Sequence, residues 1–371
     1  MQASDLQALT GAVLWAAFVL GVVFGAIAQR THFCIMGAIA DVVTMRDWSR
    51  VRMWALAAGV AMLGFNGMAA AGWIDAADSI YARRELAWLS NLAGGTLFGI
   101  GMVLASGCGS KTLVRIGGGN LKALVVFCVL GLAAYATLRG LFAVWRVDSV
   151  DRVWIELPVG QDLPSLLTLA TGIERAHAIG LLGGAAGLAL VGWALARAEG
   201  RAADTLLGGI GIGAVIVAAW WVSGRLGYVD EHPETLERVF LATSTRSMES
   251  FTFVAPIAYT LDWLIRYSDA SLRLSLGVVS VVGVIAGSAL MALGSRSFRW
   301  EGFAGTEDTA NHIVGAVLMG VGGVTAFGCT IGQGLSGLST LSLGSVIAVA
   351  GIVGGAVLAL RYQSWRMERL A

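Results

Sequence analysis

Cysteines are the residues of this chain whose type and placement most directly indicate chemistry. Four are present, and three of them, Cys34, Cys108 and Cys329, stand where an apolar run gives way to glycine and polar residues. The fourth, Cys128, lies inside the apolar run Val125–Leu130 and is expected only to pack. No CxxC pair or Cys/His cluster of zinc spacing is present, so neither a metal site nor a cofactor is expected.

Isolated thiols beside an apolar run are suited to contact with a soft anion. A protonated thiol donates a weak hydrogen bond, whereas a thiolate would repel a negative ligand. Hard oxyanions such as sulfate are better bound by hydroxyl, amide and guanidinium donors. The three thiols therefore favour sulfur-bearing anions as a class, and no catalytic residue is expected.

Two of these cysteines end the copies of an internal repeat. Asn91–Cys108 reads NLAGGTLFGIGMVLASGC and His312–Cys329 reads HIVGAVLMGVGGVTAFGC. One constant offset of 221 residues aligns six small residues: Gly94 with Gly315, Gly99 with Gly320, Gly101 with Gly322, Ala105 with Ala326, Gly107 with Gly328 and Cys108 with Cys329.

Polar residues follow each repeat cysteine and predict a broken helix. The candidate binding residues there are Gly107, Gly109, Ser110 and Lys111 in the first copy, and Gly328, Thr330 and Gln333 in the second. Half-helix amino termini offer free N–H groups and a positive dipole end to an anion. Arg30, near Cys34, is a further candidate because ionisable residues beside an apolar span are costly.

The elements that carry these residues must lie in lipid. Of 371 residues, 57% are hydrophobic and 13% are charged, and the mean hydropathy is +0.75. This composition excludes a soluble enzyme, and the formal net charge of +1 argues against a nucleic-acid surface.

About nine apolar stretches reach the roughly 20 residues that a transmembrane helix needs. The sequence thus predicts an all-α polytopic membrane protein with short re-entrant half-helices. The predicted spans are 10–28, 53–72, 88–107, 121–143, 177–196, 205–223, 274–294, 312–328 and 344–361, with 245–265 as a doubtful tenth that fits an interfacial helix equally well.

We predict a single transporter domain made of two halves, about 10–143 and about 246–361, joined by linker spans at about 144–245. An odd number of crossings between the repeat copies makes the repeat inverted. The arginines near 46–52, 197–201 and 361–369 would then lie on the cytoplasmic side, and the amino terminus outside.

Three motifs together resemble the YeeE/YedE family of thiosulfate uptake proteins, over nearly the whole chain. The most specific runs from Gly99 through Ser106-Gly107-Cys108-Gly109-Ser110-Lys111 to Lys122. The other two are Arg30-x2-Phe33-Cys34 and Phe327-Gly328-Cys329-x3-Gln333-Gly334-Leu335-Ser336.

The resemblance implies an hourglass-shaped protein of the bacterial inner membrane, in which thiosulfate passes Cys34, Cys108 and Cys329 at the waist. It also implies a cytoplasmic TusA-like sulfur-carrier protein as a separate partner chain. The long segments 145–176 and 224–273 depart from the family pattern, and the YedE branch is linked to selenium metabolism.

Three alternatives remain open from the sequence. The cargo could be a selenium compound or another sulfur species. The chain could be a membrane thiol oxidoreductase that works with a quinone, although its cysteines have no neighbouring partner in sequence. It could also be a structural scaffold, in which cysteine substitutions would leave activity unchanged.

Overall fold

The chain folds into long apolar helices joined by short breaks. The computed structural model describes residues 3–233, 236–269 and 271–370. Its helices are α1 (Ala3–Thr31), α2 (Ile35–Met45), α3 (Ser49–Ala70), α4 (Trp88–Leu104), α5 (Gly109–Gly117), α6 (Leu121–Arg139), α7 (Leu141–Asp148), α8 (Leu163–Thr171), α9 (Arg175–Leu195), α10 (Ala203–Trp221), α11 (Val254–Ile265), α12 (Leu276–Gly294), α13 (Thr306–Thr325) and α14 (Leu343–Leu370).

The remaining regular structure is short. Two antiparallel pairs join β1 (Glu85–Leu86) to β2 (Ile155–Glu156) and β3 (Tyr228–Val229) to β4 (Val239–Phe240). Single 3₁₀ turns occur at Ala76–Asp78, Val150–Arg152 and Ala198–Arg201, and π-helical turns at Val222–Leu226 and Gly332–Gly337. The predicted all-α polytopic membrane class is confirmed.

Within the described residues, eight helical segments are long and apolar enough to cross a membrane. Eight of the nine predicted spans correspond to them. The ninth, 312–328, falls on α13. The first turn of this helix carries Glu307 and Asp308, and the helix is less apolar than the eight that could cross a membrane. The doubtful tenth span is wrong, since only the 12 residues of α11 are helical there, too few to cross a bilayer.

Contacts between helix termini define two ends of the molecule. At the first, which we call the arginine end, Arg52 donates to the carbonyl of Trp193, and Arg366 pairs with Glu307. At the second, the loop end, the amide of Leu163 donates to the carbonyl of Leu341. All three predicted arginine groups have members at or beside the arginine end.

A glycine-lined crossing of α4 and α13 holds the two repeat copies together. A Cβ on Gly94 would lie 2.7 Å from the carbonyl oxygen of Gly322, and one on Gly101 would lie 2.6 Å from that of Gly315. Because Gly94 corresponds to Gly315 and Gly101 to Gly322 in the repeat, the contact is self-complementary and antiparallel. The two copies therefore run in opposite directions, as an inverted repeat requires.

Candidate functional site

The three cysteines share one backbone arrangement. His32, Ser106 and Phe327 each adopt a left-handed conformation, with φ of 53°, 56° and 56°, two residues before a cysteine. In all three cases the next amide closes the helix: Phe33 donates to the carbonyl of Ala28, Gly107 to that of Met102 and Gly328 to that of Gly323. These closures end a helix in the Schellman manner and leave the cysteine as the first residue of a new segment.

Cys34 caps the amino terminus of α2, as the predicted break after the first span requires. The amide of Gly37 donates to its Sγ over 3.5 Å. The Cys34 side chain is half-buried, whereas Cys108 and Cys329 are 1% and 0% exposed. Cys34 is thus the most accessible of the three.

Cys108 and Cys329 each contact polar groups of the segment that follows them. The Sγ of Cys108 lies 3.2 Å from Ser110 Oγ, and either atom can donate. The Sγ of Cys329 accepts from the amide of Gly332 over 3.5 Å and lies 3.8 Å from Thr252 Oγ1. The Cys329 sulfur therefore accepts from the protein backbone, which leaves its S–H able to donate elsewhere.

The cysteines, which are far apart in sequence, form one continuous column. The side chains of Cys34 and Cys108 lie close enough to interact directly. Thr330, which follows Cys329, contacts Cys108, and the two buried thiols lie within electrostatic range of each other. We call Cys34, Cys108 and Cys329, in this order from the arginine end, the thiol column.

A cavity of about 610 Å³ opens at the loop end and reaches the Cys329 end of the column. Its floor includes Thr252, Gly328 and Gln333, and its walls carry Arg83 and Arg146. A small anion that enters this cavity therefore arrives beside the Cys329 segment.

Of the predicted site residues in the first repeat copy, Ser110 and Lys111 lie at the column. Ser110 is buried beside the Cys108 thiol, and the Lys111 ammonium is within electrostatic range of Cys34 and Cys108. Gly107 is restricted by Lys111, since a Cβ on it would lie 3.1 Å from the Cγ of that side chain. Gly109 is the first residue of α5 and has only ordinary contacts.

In the second copy, Thr330 and Gln333 differ in what they can offer a ligand. The hydroxyl of Thr330 is buried with no hydrogen-bonded nitrogen or oxygen partner among the described residues, and it faces the Cys108 sulfur. The Gln333 amide is already engaged, because it donates to the carbonyl of Ala326 over 2.6 Å and accepts from Ser345 over 2.6 Å. Gly328 packs on Gln333, since a Cβ added to Gly328 would lie 3.0 Å from the Cγ of Gln333.

Two residues take positions different from those expected. Arg30 is 57% exposed and pairs with Asp204 at 3.8 Å, so the structure places it in a surface ion pair. Cys128, expected only to pack, is exposed on α6.

Positive charge gathers at the Cys34 side of the column. Lys111 lies within electrostatic range of Arg50 and Arg115, and His32 within range of Lys111. The repeat places Gly332 where the first copy has Lys111, and the carbonyl of Gly332 accepts from the Tyr81 hydroxyl over 2.7 Å. The two repeat copies thus contribute equivalent thiols, Cys108 and Cys329, but only the first copy places a charged side chain, Lys111, at this position.

The extended segment before α11 supplies residues that the sequence did not indicate. Thr252 contacts Cys329, the amide of Phe253 donates to the same sulfur, and Glu249 is buried in the cavity wall. The only available signal was the interruption of predicted span 245–265 by a glutamate.

Apolar helices that break at a buried polar path are typical of membrane transporters of small solutes. The sulphur transport family matches residues 30–358. The chain belongs to this family, which confirms the resemblance to the YeeE/YedE proteins and the expectation of a transporter rather than an enzyme.

Two curated relatives extend over most of the chain. A protein of Spirochaeta thermophila named thiosulfate transporter TsuA is 26% identical over 352 residues, which cover 91% of this chain and 94% of the relative. An Escherichia coli protein of the same name is 26% identical over 344 residues, which cover 85% of each chain.

Proposed function

We propose that this protein takes up thiosulfate across the bacterial inner membrane, along the thiol column from Cys329 through Cys108 to Cys34. The observation that carries the proposal is the column itself: three cysteines, at three helix breaks of the same backbone form, in one line from the loop-end cavity to the arginine end. The names of the two curated relatives support the choice of anion.

The geometry supports transfer between thiol donors, with the Lys111 ammonium near Cys34 and Cys108. Backbone amides of Gly332 and Gly37 donate to the sulfurs of Cys329 and Cys34, so these two thiols keep an S–H proton that can point into the path. Neutral donors bind a dianion weakly enough for release, and the polarizable thiol suits its terminal sulfur. Lys111 and its basic neighbours then attract the anion toward the arginine end.

The proposed direction rests on assigning the arginine end to the cytoplasm, because arginine and lysine are enriched in cytoplasmic loops. With α13 counted as a ninth passage beside the eight apolar segments, the amino terminus would lie outside and the carboxyl terminus inside. We expect an alkaline phosphatase fusion at the amino terminus to be active, and a green fluorescent protein fusion after residue 371 to fluoresce. A cytoplasmic amino terminus would contradict this orientation.

Inward movement of a dianion needs a source of free energy. Each charge that enters a negative cytoplasm opposes roughly 2.3 kcal/mol per 100 mV, so two charges oppose about 4 to 5 kcal/mol at that potential. A TusA-like sulfur carrier that consumes thiosulfate at the arginine end would remove the product and maintain flow.

One observation favours a second function. The contact between Cys34 and Cys108 brings together two thiols that are 74 residues apart in sequence, as a redox-active pair would require. A disulfide trapped between them during turnover would favour the thiol oxidoreductase, and thiols that stay reduced would favour transport.

Growth on a single sulfur source tests the proposed function. A bacterial strain that lacks its thiosulfate and sulfate uptake systems should grow on thiosulfate, and not on sulfate, when it carries this chain. Selenium incorporation without thiosulfate-dependent growth would instead assign a selenium compound as cargo. Growth equal to that of an empty-vector strain on thiosulfate would overturn the proposal.

A further inference from the structure

One buried acid of the loop-end cavity has no role in the thiol column. The Glu249 side chain lines this cavity and the residue is 6% exposed. Its carboxylate accepts from the amide of Ser244 over 3.1 Å and from the Thr245 hydroxyl over 3.2 Å. Among the residues that the structure describes, no arginine, lysine or histidine forms an ion pair with it.

The segment that carries Glu249 is fixed firmly beside Cys329. The Ser223 hydroxyl donates to the carbonyl of Glu249, and the Ser336 hydroxyl donates to that of Phe251 over 2.7 Å. Thr252, three residues after Glu249, contacts Cys329, and three extended residues span at most about 10 Å. The carboxyl group therefore lies near the place where an anion must wait before it reaches the column.

The other charged and titratable groups around this site do not neutralise Glu249. The two further acids of the cavity differ from it: Asp151 pairs with Arg146 at 3.1 Å, and Glu85 is exposed at the rim. The groups that face the cavity or pack against the segment from each surrounding element are Asp78, Tyr81, Arg83, Glu85, Arg146, Asp151, Arg246, Tyr259 and Cys329.

An unpaired carboxylate and a dianion cannot both occupy a partly desolvated cavity at low cost, because like charges repel strongly where water is scarce. Resting on the thiosulfate function proposed above, we propose that Glu249 is a proton-binding site that controls access to the thiol column: the anion occupies the cavity when the carboxyl group is protonated.

Thermodynamic linkage makes the effect reciprocal. If a proton on Glu249 increases the affinity for the anion, the bound anion must increase the affinity for the proton by the same factor. Burial raises the pKa of Glu249 to about 7, so the neutral form is populated below that pH and is lost as the pH rises through it. Anion affinity therefore falls from neutral to alkaline pH.

The test is thiosulfate binding to the purified full chain, measured by titration calorimetry between about pH 6 and about pH 8. The parent should lose about tenfold in affinity over this range, as expected for one required proton of pKa about 7. The variant Glu249→Gln, which is permanently neutral, should keep the low-pH affinity throughout. The matched control Glu85→Gln should keep the profile of the parent.

A second measurement needs no variant. At about pH 8, calorimetry in buffers of different ionisation enthalpy should show that the parent takes up close to one proton for each thiosulfate bound. A parent that binds thiosulfate without proton uptake, or a folded Glu249→Gln protein that keeps the tenfold dependence, would overturn the proton site alone. A parent that binds no thiosulfate at any pH would overturn the proposed function as well.

Discussion

Serine in place of Cys108 or Cys329 is expected to abolish thiosulfate-dependent growth. Serine is nearly isosteric with cysteine and keeps a donor, so it preserves the cavity and removes the soft sulfur contact. Both positions are fully buried. The Cys108 sulfur lies beside the Ser110 hydroxyl, and the Cys329 sulfur accepts a hydrogen bond from the amide of Gly332. We expect uptake to fall about tenfold or more, which corresponds to at least about 1.4 kcal/mol of barrier.

Cys128→Ser is the matched control, because Cys128 is exposed on α6 and outside the column. It should retain most of the uptake of the parent. The variants must be compared at equal protein level, since a buried hydroxyl without a partner costs about 1 to 3 kcal/mol and can lower abundance. Normally expressed Cys108→Ser and Cys329→Ser proteins that grow like the parent would exclude a role for the thiols.

Valine in place of Gly322 is expected to destabilise the whole membrane domain. A Cβ there would lie 2.5 Å from the amide nitrogen of Phe98 and 2.6 Å from the carbonyl oxygen of Gly94, so α4 and α13 would have to separate. Overpacking of this kind costs about 1 to 3 kcal/mol, and backbone contacts cannot relax by side-chain rotation. The readouts are Tm and the yield of monodisperse protein.

Gly192→Ala and Gly354→Ala are controls for this experiment. Nothing lies within 4 Å of a Cβ added at either position, so both variants should keep the Tm of the parent. A Gly322→Val protein with parental Tm and yield would show that the α4 and α13 crossing is not the close contact described above.

Much of the site could be predicted because its signals are local or repeated. Small residues at a constant offset of 221 identify the two copies, and glycine and polar residues after Cys108 and Cys329 indicate breaks. The class of protein follows from composition, since no soluble fold tolerates so much apolar surface.

The rest depends on contacts between segments that are distant in the chain. The left-handed residues at the breaks, His32, Ser106 and Phe327, share no side-chain type, so their common backbone form is invisible in sequence. The contact of Cys34 with Cys108 arises only when α1, which ends just before Cys34, packs against α5, which begins just after Cys108.

The structure of the segment before α11 could not be predicted for a related reason. Its apolar residues resemble those of a membrane span, but the chain there is not helical. The carbonyls of Glu249 and Phe251 accept hydrogen bonds from the hydroxyls of Ser223 and Ser336. Irregular backbone at this depth is stable only when other parts of the protein satisfy its polar groups, and those donors lie elsewhere in sequence.

Uptake of radiolabelled thiosulfate into liposomes that contain only the purified chain tests the central claim most directly. The account predicts uptake by the parent that excess unlabelled thiosulfate blocks and excess sulfate does not, together with loss of uptake in Cys108→Ser and Cys329→Ser and its retention in Cys128→Ser. Uptake that is equal in the parent and in both column variants would contradict a path along the thiol column.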